Sequence, residues 1–284
     1  MPDGFRAGIK LRRIARRIRG WRDAAGMKAN ETATRLHWSA SKISKMENAA
    51  QPITPVDVLA LGLIYGVEEN ERNRLFEEAQ RAQSGGWWQE YAEDELIAIT
   101  RDYLELEAEA AVLRTFKGDL IPGLLQTADY AAALARAALP AANEEIVRRR
   151  AEVRMTRQAL LRGEHPLRVE AVLGEAALRM SVGGAKTMQA QLTRLVDLAR
   201  EPNVAVRVIP FAVGAYPAIC SPFVLLGFAE EHYEDVVYLE NVDYGVLLEE
   251  PAVVETYRVN FAGVQEVALT PEESIAVIAG ILEE

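Results

Sequence analysis

The segment Arg22-Asp-Ala-Ala-Gly26-Met27-Lys28-Ala-Asn-Glu31-Thr-Ala33-Thr-Arg35-Leu36-His37-Trp38-Ser39-Ala40-Ser41-Lys42-Ile43-Ser44-Lys45-Met46-Glu47-Asn48 reads as two short helices joined by a tight turn. Gly26 stands where a C′ glycine would end a preceding helix. The first short helix is expected from about Lys28 to Leu36, with Ala33 small enough for close packing on the next. His37 and Trp38 form the turn, and Ser39 caps a helix from Ala40 to about Asn48. Two lysines lie on the polar side of that last helix. This is the layout with which a helix-turn-helix presents a recognition helix to the major groove.

Upstream, Leu11, Ile14, Ile18 and Trp21 recur at helical spacing between Lys10 and Ala25, with arginines on the other faces. Downstream, Thr54 caps and Pro55 opens a fourth helix that runs to about Tyr65. Glu71 to Gln83 reads as a fifth. The expected core of this five-helix head is Leu11, Ile14, Ile18, Leu36, Ile43, Met46, Leu59, Leu61 and Ile64. Ala40, Ser41, Lys42 and Lys45 are expected on its exposed recognition face. Ser41 and Lys42 are nearest the helix N-terminus and best placed for base edges. Lys28 and the first amides of the second helix would meet phosphate, helped by the positive end of the helix dipole. Glu47 is expected to pair with Arg16 or Arg17.

Charge supports this division. The 284 residues carry a formal charge of −10, yet residues 1–66 hold twelve Lys/Arg against five acids, a balance of +7. The remainder balances at −17. A basic head on an acidic body fits phosphate contact by the head alone and argues against coating of nucleic acid by the whole chain. Cys220 is the only cysteine, so no intramolecular disulfide forms, which suits a reducing cytoplasm. Its expected role is that of a small buried hydrophobe. No apolar run reaches spanning length, and no signal peptide is expected.

The expected organisation is a head over residues 1–83, a hinge over 84–92 containing Ser84-Gly85-Gly86, and a body over 93–284. The body should begin with an acidic helical lead-in, Glu93 to about Ala111, followed by an extended Val112–Lys117. Thr127 caps a helix to Ala138, and Asn143 to Arg162 reads as one long arginine-rich helix. Alternating Arg168–Leu173, helical Lys186–Arg200 and the strand Val204–Ile209 form a β-α-β unit, with parallel strands. Phe223–Phe228 and Val236–Leu239 read as a hairpin, and Thr270-Pro271-Glu272-Glu273 as a capping box opening the last helix. The fold class is therefore multidomain: an all-α five-helix head, then an α/β body with a mixed sheet. Trp87, Trp88 and Tyr91 are read as packing at the domain junction.

Chemistry-bearing constellations are thin. His37, His165 and His232 are scattered with no second ligand at metal spacing. Gly183-Gly184 precedes a helix without a phosphate-loop pattern. No catalytic residue, metal or cofactor is expected, and an enzyme is not the favoured reading. Arg150, Arg154 and Arg157 fall on one helix face. Such a face suits an anionic ligand or an acidic partner; the blander reading, preferred on the residues alone, is a solvated face paired with local acids such as Glu152.

Gly26, Ala33, Leu36, Ser39, Ile43, Ser44, Glu47 and Asn48 resemble the helix-turn-helix of Xre-class regulators, the lambda-repressor/Cro group. The chain departs from that pattern in three places. Ala29 stands where a phosphate-binding glutamine is usual, His37 replaces the turn glycine, and Ala49 replaces a glycine after the third helix. Farther on, Ile121-Pro-Gly-Leu-Leu-Gln-Thr-Ala-Asp-Tyr130, the run Arg154…Arg157-Gln158…Leu161 and Val237-Tyr238-Leu239-Glu240 resemble the large C-terminal domain, DUF5753-like, of actinobacterial antitoxin-like Xre regulators. The resemblance implies a transcription regulator, often encoded beside a small partner protein. The expectation is a cytoplasmic, nucleoid-associated homodimer on double-stranded DNA. An antitoxin-like interaction protein that autoregulates and a regulator that senses a small-molecule effector stand as alternatives.

Overall fold

A computed structural model describes residues 7–83, 86–91, 98–139, 143–229, 234–241 and 244–284. Residues 84, 85 and 92 of the expected hinge, the start of the acidic helix, and His232 lie outside these residues. The chain divides into two compact units, Met1–Glu90 and Tyr91–Glu284.

The first unit contains helices α1 (Ile9–Ala24), α2 (Ala29–Leu36), α3 (Ala40–Glu47), α4 (Pro55–Ile64) and α5 (Glu69–Gln83). Ile14, Ile18 and Trp21 of α1 form the stripe around which Ile43, Met46, Val58, Leu61, Leu75 and Ala79 pack. Leu11, Leu36 and Ile64 sit at the margin of this core. Leu59 does not join it: α4 turns Val58 and Leu61 inward and leaves Leu59 half-buried. The capping box of α4 sets that phase. Thr54 Oγ1 accepts from the Asp57 amide at 3.1 Å, and the Asp57 carboxylate accepts from the Thr54 amide at 3.0 Å.

The turn between α2 and α3 is closed by His37 in the left-handed region, φ 55°. The Trp38 amide then reaches back to the Ala33 carbonyl at 2.9 Å. Ala49, after α3, is also left-handed, φ 50°. Both are positions where a β-carbon opposes the backbone and a glycine would not.

The second unit holds a six-stranded mixed sheet built from β1 (Val112–Lys117), β2 (Arg168–Gly174), β3 (Val204–Ile209), β4 (Phe223–Gly227), β5 (Val236–Glu240) and β6 (Gly245–Leu248). The strand order is β3-β2-β1-β4-β5-β6. β1, β2 and β3 are parallel; β4, β5 and β6 continue antiparallel. The helices are α6 (Ala98–Glu107), α7 (Ala128–Ala138), α8 (Glu144–Arg157), a short α9 (Ala176–Arg179), α10 (Ala185–Leu198), α11 (Pro251–Val267) and α12 (Pro271–Glu283).

Strand alternation gives the sheet two different faces. Phe116, Val172, Phe223, Leu225 and Val237 point to one face and pack on Val254, Phe261 and Val264 of α11. Leu113, Thr115, Val169, Val224 and Tyr238 point to the other and line a cavity that also takes residues from α6, α7 and α8. The β3 edge is covered. The Leu269 amide donates to Val208 O at 2.9 Å, and the Val208 amide donates to Ser274 Oγ at 2.9 Å.

Several sequence expectations change here. The helix expected over Asn143–Arg162 ends at Arg157 and tightens into a 3-10 turn, Gln158–Leu161, before the chain returns to β2. Asn203 Nδ2 holds that return through the carbonyls of Leu161 and Leu167, at 3.2 and 2.8 Å. The sequence reading did not include α11, whose segment is rich in β-branched and aromatic residues and has no side-chain cap. The short strand β6 was also absent from it. Cys220 is exposed rather than buried. Among the described residues, no helix is long and apolar enough to cross a membrane.

Replacing His37 by Gly should stabilise the first unit by about 1 kcal/mol, because it removes a left-handed β-carbon. Hydrogen exchange of the α2 and α3 amides reports this directly, and slower exchange in the variant is the expected result.

Candidate functional site

Helix α3 is held at both ends. At its start, Ser39 Oγ accepts from the Lys42 amide at 3.1 Å. At its finish, Arg22 donates through Nε and Nη2 to the two carboxylate oxygens of Glu47, at 2.6 and 3.0 Å, and through Nη1 to Met27 O at 3.0 Å. One guanidinium thus ties α1, the Gly26 turn and α3 together. The hydrogen bond that Arg22 donates to Glu47 raises the Arg22 pKa against the opposing effect of burial. Arg22, and not Arg16 or Arg17, is therefore the partner of Glu47. Arg17 instead reaches Glu71 and Glu78, each at 3.5 Å. The sequence reading missed this because Arg22 sits at the end of α1, directly over the turn that brings α3 back.

Lys42 is half-buried. Its Nζ donates to Asp57 Oδ1 at 2.7 Å and lies 3.6 Å from the centroid of the Trp38 ring. Burial alone would raise the Asp57 carboxyl. Hydrogen bonds from Lys42 and Thr54 outweigh it and hold the group below its ordinary value. Lys42 thus fastens α3 to the start of α4. Ala40 also faces inward, half-buried against the core, and is not on the exposed face.

The outward face of α3 is Ser41, Ser44, Lys45 and Asn48, all exposed and spaced i, i+3, i+4 and i+7. Ser44 and Asn48 were not among the sequence-derived candidates, although the same helical spacing from Ser41 would have found them. Asn48 Nδ2 is engaged with Ser44 O at 2.8 Å. Ser39 is exposed at the tip. Lys28 is exposed at the N-cap of α2, and its side chain makes no capping bond. Lys28 and Lys45 have no ion-pair partner among the described residues, whereas Arg35 pairs with Glu31 at 2.9 Å. Ala29 packs against the core.

In the second unit the three arginines of α8 occupy neither a plain solvated face nor a uniform one. Arg150, Arg154 and Arg157 all line the cavity on the sheet face opposite α11, whose volume is about 510 Å³. Glu152 pairs instead with Arg148 and Arg149. Arg157 donates to both oxygens of Glu107, at 2.7 and 2.6 Å, and Tyr103 OH donates to the same carboxylate at 2.5 Å. Burial would lower the Arg157 pKa, but the Glu107 charge outweighs it and raises the group. Arg154, one turn earlier, has only a 3.5 Å contact to Arg150 O. Burial lowers its pKa, and the neighbouring Arg157 charge adds to that.

The string Ile121–Tyr130 forms the wall beside these arginines. Gly123 admits the Arg157 guanidinium, since a β-carbon there would lie 3.0 Å from its Nη1. Gln126 Nε2 closes the turn on Ile121 O at 2.7 Å, and Thr127 caps α7. Gln191 accepts from the Thr127 amide and donates to Leu125 O, at 2.7 and 2.8 Å, fastening the string to α10.

Two family models match the chain. Residues 13–75 match a helix-turn-helix domain, and residues 100–280 match a domain of unknown function, DUF5753. The second match covers more than half of the chain, and the protein belongs to that DUF5753 family. No curated protein and no solved structure matches it. The first unit is accordingly a helix-turn-helix DNA-binding domain, in a chain whose larger part is the DUF5753 domain.

Two outcomes are expected. The depressed Asp57 pKa means its contribution to stability is present above the unfolded value of about 3.9 and is lost as pH falls through the lower, folded value. Acid titration followed at the Trp38 indole resonance should show this release, and Asp57→Asn should abolish it. Glu107→Ala leaves Arg157 buried without its carboxylate and should cost about 3–5 kcal/mol in urea unfolding, whereas Glu107→Ala with Arg157→Met should recover most of that loss.

Proposed function

We propose that this protein is a sequence-specific transcription regulator of the Xre type that binds a two-fold operator as a homodimer, in the cytoplasm at the nucleoid. It acts by binding and not by catalysis. The observation that carries the reading is the exposed strip of α3, namely Ser41, Ser44, Lys45 and Asn48, with Ser39 at its leading end. These are hydrogen-bonding side chains suited to base edges and phosphates, on a helix braced from behind by Arg22–Glu47 and Lys42–Asp57. Lys28, at the start of α2, supplies a phosphate contact beside the amides of that helix.

In this reading Lys42 is a positioning residue. Its ammonium is committed to Asp57 and Trp38, so its contribution is to the angle of α3. Lys45 is the cation that α3 leaves to the DNA. A single head of this size buries little nucleic-acid surface, and two heads on half-sites one helical turn apart, about 34 Å, supply the affinity that one lacks. The cavity in the DUF5753 unit favours a regulator that senses a small molecule over one whose body only binds a protein partner.

The test uses full-length protein and DNA selected by it from a randomised pool. Lys45→Ala should weaken binding roughly tenfold, and Lys28→Ala should weaken it uniformly across sequences while lowering the salt slope by about one. Unchanged affinity of the Lys45 variant in a low-salt gel shift would remove α3 from the DNA. Light scattering of the full chain should give the mass of two copies.

A further inference from the structure

The cavity beneath α8 combines an apolar wall with two polar groups that the fold leaves unmet. Leu113, Leu124, Leu134, Val153, Val169 and Val224 supply the wall. Its volume of about 510 Å³ is in the range of small-molecule sites. Four cations line it: Arg157 is neutralised by Glu107, Lys117 lies 3.9 Å from Glu240, and Arg150 stands one turn before Arg154 on α8. Arg154 differs. No carboxylate pairs with it among the described residues, and its one hydrogen bond is the long one to Arg150 O. The second unmet group is Gln126. It is 4% exposed, its Nε2 is used on Ile121 O, and its Oε1 has no hydrogen-bond partner.

A partly buried guanidinium that makes no ion pair, and feels Glu240 only at longer range, is costly. So is a buried acceptor without a donor. Both line the same apolar cavity. We propose that this cavity is a binding site for an amphipathic organic carboxylate: an apolar body against the leucine and valine wall, a carboxylate on Arg154, and a hydroxyl or N–H donor toward Gln126 Oε1. A carboxylate suits Arg154, which has no ion-pair partner among the described residues, because guanidinium binds it through paired N–H donors. Inorganic phosphate would leave the wall unused.

The experiment is calorimetric titration of the full-length protein with decanoate, 10-hydroxydecanoate, 1,10-decanediol and inorganic phosphate. Both acids should bind at one site per chain, at least tenfold tighter than the diol, with the hydroxy acid the tighter of the two. Phosphate should not bind. Arg154→Met should bring the acids down to the affinity of the diol. It should leave the melting temperature of the ligand-free protein unchanged or higher, since Arg154 makes no ion pair among the described residues and only one long hydrogen bond. Failure of both acids to bind at millimolar concentration, equal affinity for the diol, or preference for phosphate would overturn the proposal. A lower melting temperature of Arg154→Met would do so as well, by showing that the guanidinium serves the fold. Equal affinity of the two acids would remove Gln126 from the site. DNA is not part of the measurement, so the outcome is independent of the reading of α3.

Discussion

The ion pair between Arg157 and Glu107 sets the arrangement of the DUF5753 unit. It is buried, bidentate and shared with the Tyr103 hydroxyl, so it joins α8 to α6 at one rotation of α8. With Arg157 so placed, Arg154 and Arg150 are carried to the same cavity one and two turns earlier. Gly123 is small because that guanidinium passes it, and the Pro-Gly-Leu-Leu-Gln-Thr string takes its course around it. Burial of the pair is tolerable only because both carboxylate oxygens and the guanidinium edge facing them are satisfied.

The helix-turn-helix unit uses the same device at smaller scale. Arg22–Glu47 and Lys42–Asp57 fix the two ends of α3, so that its outward strip is presented by a helix with little freedom to rock. The side chains that brace α3 are charged and face the protein, while the side chains left to the outside are mostly small and polar. Affinity in such a design comes from orientation and from doubling of heads more than from the number of cations on the recognition helix. Arginine face and recognition helix thus follow one rule: a cation already paired positions its element, and an unpaired cation is available to a ligand.

Most of the head was legible because its signals are local. Ser39 as cap, Thr54-Pro55 as a helix start, and the leucine and isoleucine spacing each depend on a few neighbouring residues. His37 in the left-handed turn followed from its place in the motif. The body was legible in its strands and its capped helices, where alternation or a threonine cap marks the element. It was not legible in α11, which has neither, or in the register that makes β1 the junction of the parallel and antiparallel halves.

The two-part division with its charge asymmetry, the five-helix head, the order of β-α-β unit and hairpin, and the three arginines on one face of α8 can all be read along the chain. Tertiary structure decided which of those charges are spent. No spacing rule distinguishes Arg154 from Arg157, or Lys42 from Lys45, because each pair has the same chemistry on the same helix. They differ only in whether a carboxylate from a remote element, Glu107 on α6 or Asp57 on α4, arrives beside them. Pairing between residues far apart in the chain is a property of packing, and packing converts four similar cations into two that hold the fold and two that face outward or into the cavity.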